Sequence, residues 1–123
     1  MSTIMAVLLN GVAQLEYHRD RELPDHQAVY LDKMDQKMDQ GIDLDGESIV
    51  QPDTGQRAQF VAGNLAGAIL ANNETMATAL CTYLAVRIPE LKQVKIQTED
   101  ASVSVELIFD ESYSRQVPVK FFH

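Results

Sequence analysis

Within residues 102–109, Val103, Val105, Leu107 and Phe109 fall on one side, and Ser102, Ser104 and Glu106 on the other, joined by Ile108 only at the end. A period of two puts these four apolar side chains on one face of an extended strand and leaves the opposite face polar from Ser102 to Glu106. Such a strand cannot stand alone in water. Its apolar face needs a cover and its backbone needs neighbours. Residues 94–98 and 116–122 repeat the pattern, with Val117, Val119 and Phe121 on one face. Turn signals at Glu99-Asp100 and at residues 110–114 separate the three runs. They predict a C-terminal three-stranded antiparallel meander in which Pro118 marks an edge strand.

The cover is expected to be helical. Pro24 and Asp25 open a helix, proline being tolerated in the first turn and the acid favoured by the dipole, and Gly41 can stop it after Gln40. Inside it, Lys33-Met34-Asp35-Gln36 is followed by Lys37-Met38-Asp39-Gln40. That four-residue repeat stacks Tyr30, Met34 and Met38 on one face, but also Lys33 over Lys37 and Asp35 over Asp39, so like charges meet. The helix needs a surface for its methionine stripe. A second helix is predicted from Asp53 or Thr54 to Ala71, with Gln56 placed to complete a capping box. Gly63, Gly67 and Ala71 recur along it every four residues, and Ala58, Ala62 and Ala66 form a second small row. Faces this smooth let another backbone approach closely. A third helix starts at Asn73 and ends before Pro89.

Residues 1–18 admit two readings. Asn10-Gly11 between apolar runs is a hairpin signal. Ile4, Leu8, Val12 and Leu15 fall at helical spacing behind Ser2 and Thr3, and helix is the reading adopted. The expected class is therefore α+β: three to four helices packed on a C-terminal three-stranded antiparallel sheet, in one domain spanning residues 1–123.

Charge bounds the partners. Eighteen acids against ten bases give a net charge of −8, a sign opposed to nucleic acid and to anionic membrane, and the basic residues are spread along the chain. Residues 4–9 and 60–71 are apolar but too short to span a bilayer. The lone Cys81 excludes an internal disulfide framework and a CxxC zinc site. A reducing, cytoplasmic setting is expected, with no nucleic acid and no membrane among the partners.

No catalytic motif survives its context. Asp53-Thr54-Gly55 resembles the Asp-Thr-Gly signature of aspartic proteases, but that family surrounds the signature with strands. Here Gln51-Pro52 precede it and a helix follows, so Asp53 reads as a helix cap. Setting Gly46 at the sixth position of a calcium loop puts Gly41 and Pro52 where carboxylates belong. Cys81, in mid-helix, lacks the basic neighbour a reactive thiol requires. No cofactor is implied.

The leading expectation is a non-catalytic protein-interaction or accessory domain acting as a homodimer. Its contact residues would be Met34 and Met38 on the first helix and Gly63 and Gly67 on the second, which offer more apolar surface than three strands can cover. The alternative is a small metal- or ligand-binding protein, or an enzyme. Its site would lie where the acidic loop (Asp43, Asp45, Glu47) meets His18 or His26, because carboxylate with imidazole can hold a divalent ion or move a proton.

Overall fold

The computed structural model describes residues 4–44 and 46–113. Its elements run β1 (Ile4–Leu9), β2 (Val12–His18), α1 (Asp25–Asp39), β3 (Ile42–Leu44), β4 (Glu47–Ile49), α2 (Thr54–Leu70), α3 (Glu74–Arg87), β5 (Gln93–Glu99) and β6 (Ser102–Ile108). This is an α+β architecture of three helices and a four-stranded, mostly antiparallel sheet of order β2-β1-β5-β6. A separate small hairpin, β3-β4, interrupts the polar segment expected as loop.

Two corrections follow. The sheet is not a C-terminal meander: its central strands β1 and β5 pair in parallel, and each carries an antiparallel hairpin partner, β2 and β6. The strand expected over residues 116–122 lies outside the described residues. Residues 4–18, expected as helix, form the β1-β2 hairpin. The cause lies in burial. Met5 and Val7 face the helices, while Ala6 and Leu8 pack on the opposite side of the sheet beneath Tyr113. A central strand covered on both faces shows no alternation, so the helical spacing of Ile4, Leu8, Val12 and Leu15 is fortuitous.

Asn10 and Gly11 make the two-residue turn, with φ of 50° and 83°. Positive φ at both positions matches the twist of the flanking strands. Asn10 also clasps β5. Its backbone N–H donates to the Ile96 carbonyl (2.8 Å), its side-chain amide donates to Thr98 Oγ1 (2.9 Å), and its Oδ1 accepts from the Thr98 N–H (2.9 Å). Asn10→Ala, which loses both side-chain bonds and places alanine at positive φ, is expected to cost about 1–2 kcal/mol in urea denaturation.

The helices begin and end for local reasons. Asp53 Oδ1 accepts from the Gln56 N–H (2.8 Å) while Gln56 Oε1 accepts from the Asp53 N–H (2.9 Å), the expected capping box at the start of α2. Between α2 and α3, Asn72 takes φ 58°, and the Asn73 N–H returns to the Ala68 carbonyl (2.8 Å), closing a Schellman turn. The carbonyls at the end of α3 accept from Arg19, whose Nε reaches Ala85 O (3.1 Å) and Nη2 reaches Ile88 O (2.9 Å). A cation there also complements the helix dipole. Ala58, Ala62 and Ala66 are buried, and this small row of α2 enters the shared core with Leu84, Val94 and Ile96.

Candidate protein-interaction surface

The bonding of β5 decides what β6 shows to the outside. Ala6 N–H donates to the Lys92 carbonyl and Asn10 N–H to the Ile96 carbonyl, so the even-numbered residues of β5 turn their polar backbone toward β1. The odd-numbered ones turn toward β6, where the register pairs 93, 95, 97 and 99 with 108, 106, 104 and 102. The amides and carbonyls of Val103, Val105 and Leu107 therefore point away from β5, along the outer edge. Among the described residues no strand lies there, since β6 ends the sheet.

Exposed edges invite pairing, and most carry a deterrent such as proline, lysine or a bulge. β2, at the opposite edge, has a bulge: its pairing with β1 slips between Val7 and Leu8, which leaves Gln14 as the extra residue. β6 has none of these. Its seven residues hold one charge, Glu106, and its pairing with β5 is regular throughout. On the helix side of the same strand, Val103 is 49% exposed and Phe109, just beyond its end, 44%. A groove of about 650 Å³ runs beside it, where Val105, Leu107 and Phe109 face Leu44, Ala62 and Gly63. The apolar face of β6 is thus only partly covered by the helices.

Gly63 and Gly67 lie on the exposed side of α2, and a Cβ added to either would meet nothing within 4 Å. Gly63 lines the groove. The methionine stripe sits elsewhere. Met38 is 4% exposed inside the core, Met34 packs against that core, and Leu31 takes the inward place expected of Tyr30. Met38 is thus committed to the core.

The residues proposed for a metal or acid–base site are spread over the fold. Asp43 is exposed on β3 and accepts from Ser48 Oγ (2.9 Å), Glu47 is exposed on β4, and Asp45 lies outside the described residues. His18 ends β2 beside Glu16 (3.9 Å). His26 sits at the start of α1, whose fifteen residues extend about 22 Å before the β3-β4 hairpin begins. Among the described residues, no three His, Cys, Asp or Glu side chains converge on a point that could hold an ion. His26 instead borders a groove of about 540 Å³ between α1 and α3, beside Tyr30, Met76 and Ala79.

One cluster escaped the sequence reading. Asp35 accepts from Tyr83 Oη and from Arg87 Nε (2.9 Å), and Arg57 Nη1 approaches it at 3.3 Å. Arg57 Nη2 also donates to Asp39, and Arg87 Nη2 to Asp32 (2.8 Å). The side-chain hydrogen bond and charge of Asp39 hold the Arg57 guanidinium above its ordinary value. Each carboxylate here has a partner, and the cluster joins α1 to α2 and α3. Asp32, Asp35 and Asp39 at helical spacing were the available signal, although their basic partners lie 18 to 55 residues away.

The chain matches no protein-family model, no curated protein and no solved structure.

Proposed function

We propose that this chain is a non-catalytic protein-interaction domain that acts as a homodimer and engages its partner through the β6 edge and the groove beside it. The observation that carries this reading is the undeterred edge: outward amides on Val103, Val105 and Leu107, flanked by half-exposed Val103 and Phe109. The acidic surface, the single buried thiol and the absence, among the described residues, of a helix able to cross a membrane fit a domain working in the cytoplasm. Gly63, at the rim of the groove, and Gly67, one turn further along the exposed side of α2, give that helix room for a neighbour.

Val103→Lys tests this. A charged gatekeeper at the edge is expected to weaken self-association at least tenfold by sedimentation equilibrium, with the melting temperature of the fold changed by no more than a few degrees. A wild-type chain that sediments strictly as a monomer at micromolar concentration removes the homodimer. A second reading, a small ligand-binding protein, draws on the groove between α1 and α3, whose size suits a small molecule. Stabilisation in a thermal-shift screen that is lost in Tyr30→Ala would favour it.

A further inference from the structure

We infer that two copies of this chain pair β6 with β6, antiparallel about a two-fold axis at Val105, to form one continuous eight-stranded sheet. The inference rests on the homodimer proposed above and names its geometry. In an antiparallel pair, directly opposed residues share a face, so only registers that match odd with odd positions keep the apolar face continuous. The outward amides of Val103, Val105 and Leu107 then define the choice. With Val105 opposite Val105, Val103 meets Leu107 and Leu107 meets Val103, so all three outward N–H groups and all three carbonyls of each strand find partners. The whole strand, Ser102–Ile108, is used.

The other face of the strand selects the same register. With the axis at Val105, Glu106 stands opposite Ser104 of the second copy and keeps Lys95 as its neighbour on β5. A slip of two residues in one direction sets Glu106 against Glu106, an unfavourable like-charge pair. A slip in the other direction sets Ser104 against Ser104 and leaves Leu107 and Ile108 facing the Asp100-Ala101 turn. On the helix side, Val103, Val105 and Leu107 of the two copies become one apolar strip, which runs from one groove to the other past Gly63 of each α2. An interface of this kind is isologous, as closed dimers require.

Cysteine cross-linking reads the register directly. Ser104 and Glu106 of opposite copies would form a non-hydrogen-bonded pair with Cα atoms about 4.5 Å apart, within disulfide reach. Both side chains are exposed, and the native Cys81 is buried. The expected result is that a mixture of Ser104→Cys and Glu106→Cys chains forms a disulfide-linked dimer on mild oxidation, at least tenfold more than either variant alone. Ser104→Cys cross-linking to itself moves the axis and overturns the inference, as does Glu106→Cys doing so. A dimer by sedimentation that cross-links in no combination also overturns it, while leaving the homodimer standing. A monomer removes both. Val103→Pro gives an independent reading, because its N–H points outward and contributes nothing to the β5-β6 ladder. It is expected to weaken the dimer at least tenfold with an unchanged circular dichroism spectrum, and an unchanged dimer affinity would overturn the pairing.

Discussion

Replacing Asp35 by alanine is expected to destabilise the fold by about 2–3 kcal/mol, several times the effect of the same change at Asp32 or Asp39. The three acids lie on one helix, yet their settings differ. Asp32 is 68% exposed at its side chain and makes one ion pair, with Arg87, of the kind worth a few tenths of a kcal/mol. Asp39 is similarly exposed and, among the described residues, bonds only Arg57. Asp35 is 29% exposed and receives Tyr83, Arg87 and Arg57 together. Its removal strands a buried phenol and takes one carboxylate from each of two arginines. The consequence is structural, because α1 offers only Leu31 and Met38 as fully buried apolar anchors. The melting temperature of Asp35→Ala should fall by about 10 °C. Tyr83→Phe should cost about 1 kcal/mol in the wild type and close to nothing in Asp35→Ala, since the hydroxyl has then lost its acceptor. Equal costs in the two backgrounds would show that the phenol and the carboxylate do not act together.

What the sequence made legible follows from how local each signal is. The limits of α1, α2 and α3 are set by Pro24, Gly41, Asp53, Asn73 and Pro89, residues whose effect is exerted within one turn, and all three helices lie where these predict. The strand at 102–108 is legible because one side of it stays polar from Ser102 to Glu106. β1 is not, for the opposite reason: it sits mid-sheet with both faces covered, so Ile4–Leu9 carries no alternation, and the parallel pairing with β5 joins residues nearly ninety positions apart. The Asp35 cluster was hidden in the same way. The stacked like charges of the Lys-Met-Asp-Gln repeat imply that α1 needs outside help, but not that the help comes from Arg57 and Arg87. The candidate surface was half visible. The spacing marks Gly63 as part of a smooth contact face and the structure adds that it lines the groove, whereas the edge of β6, open among the described residues, becomes apparent only once β1 is known to occupy the other side of β5.

Native and unfolded chains are expected to differ at least a thousandfold in the rate at which a small thiol reagent modifies Cys81 at pH 8. The thiolate is the reacting species, and burial pushes the Cys81 thiol up from its ordinary 9 to about 12, against a smaller opposing pull from Arg19. Tyr83 moves the same way, its phenol raised chiefly by burial and further by its bond to Asp35. Both groups therefore hold their protons more tightly in the folded state than in the unfolded one. Their contribution to stability is complete below about pH 9 and is lost progressively as the pH rises toward 12. At pH 10, ionisation of Cys81 in the unfolded chain alone removes on the order of 1 kcal/mol. Urea midpoints should accordingly be level from pH 7 to 8.5 and decline above 9. Cys81→Ala should be less stable at neutral pH, because it leaves a small cavity, but its decline between pH 9 and 10 should be shallower. Native protein that reacts at the rate of the unfolded chain would place the thiol at the surface and break the link between core packing and alkaline sensitivity.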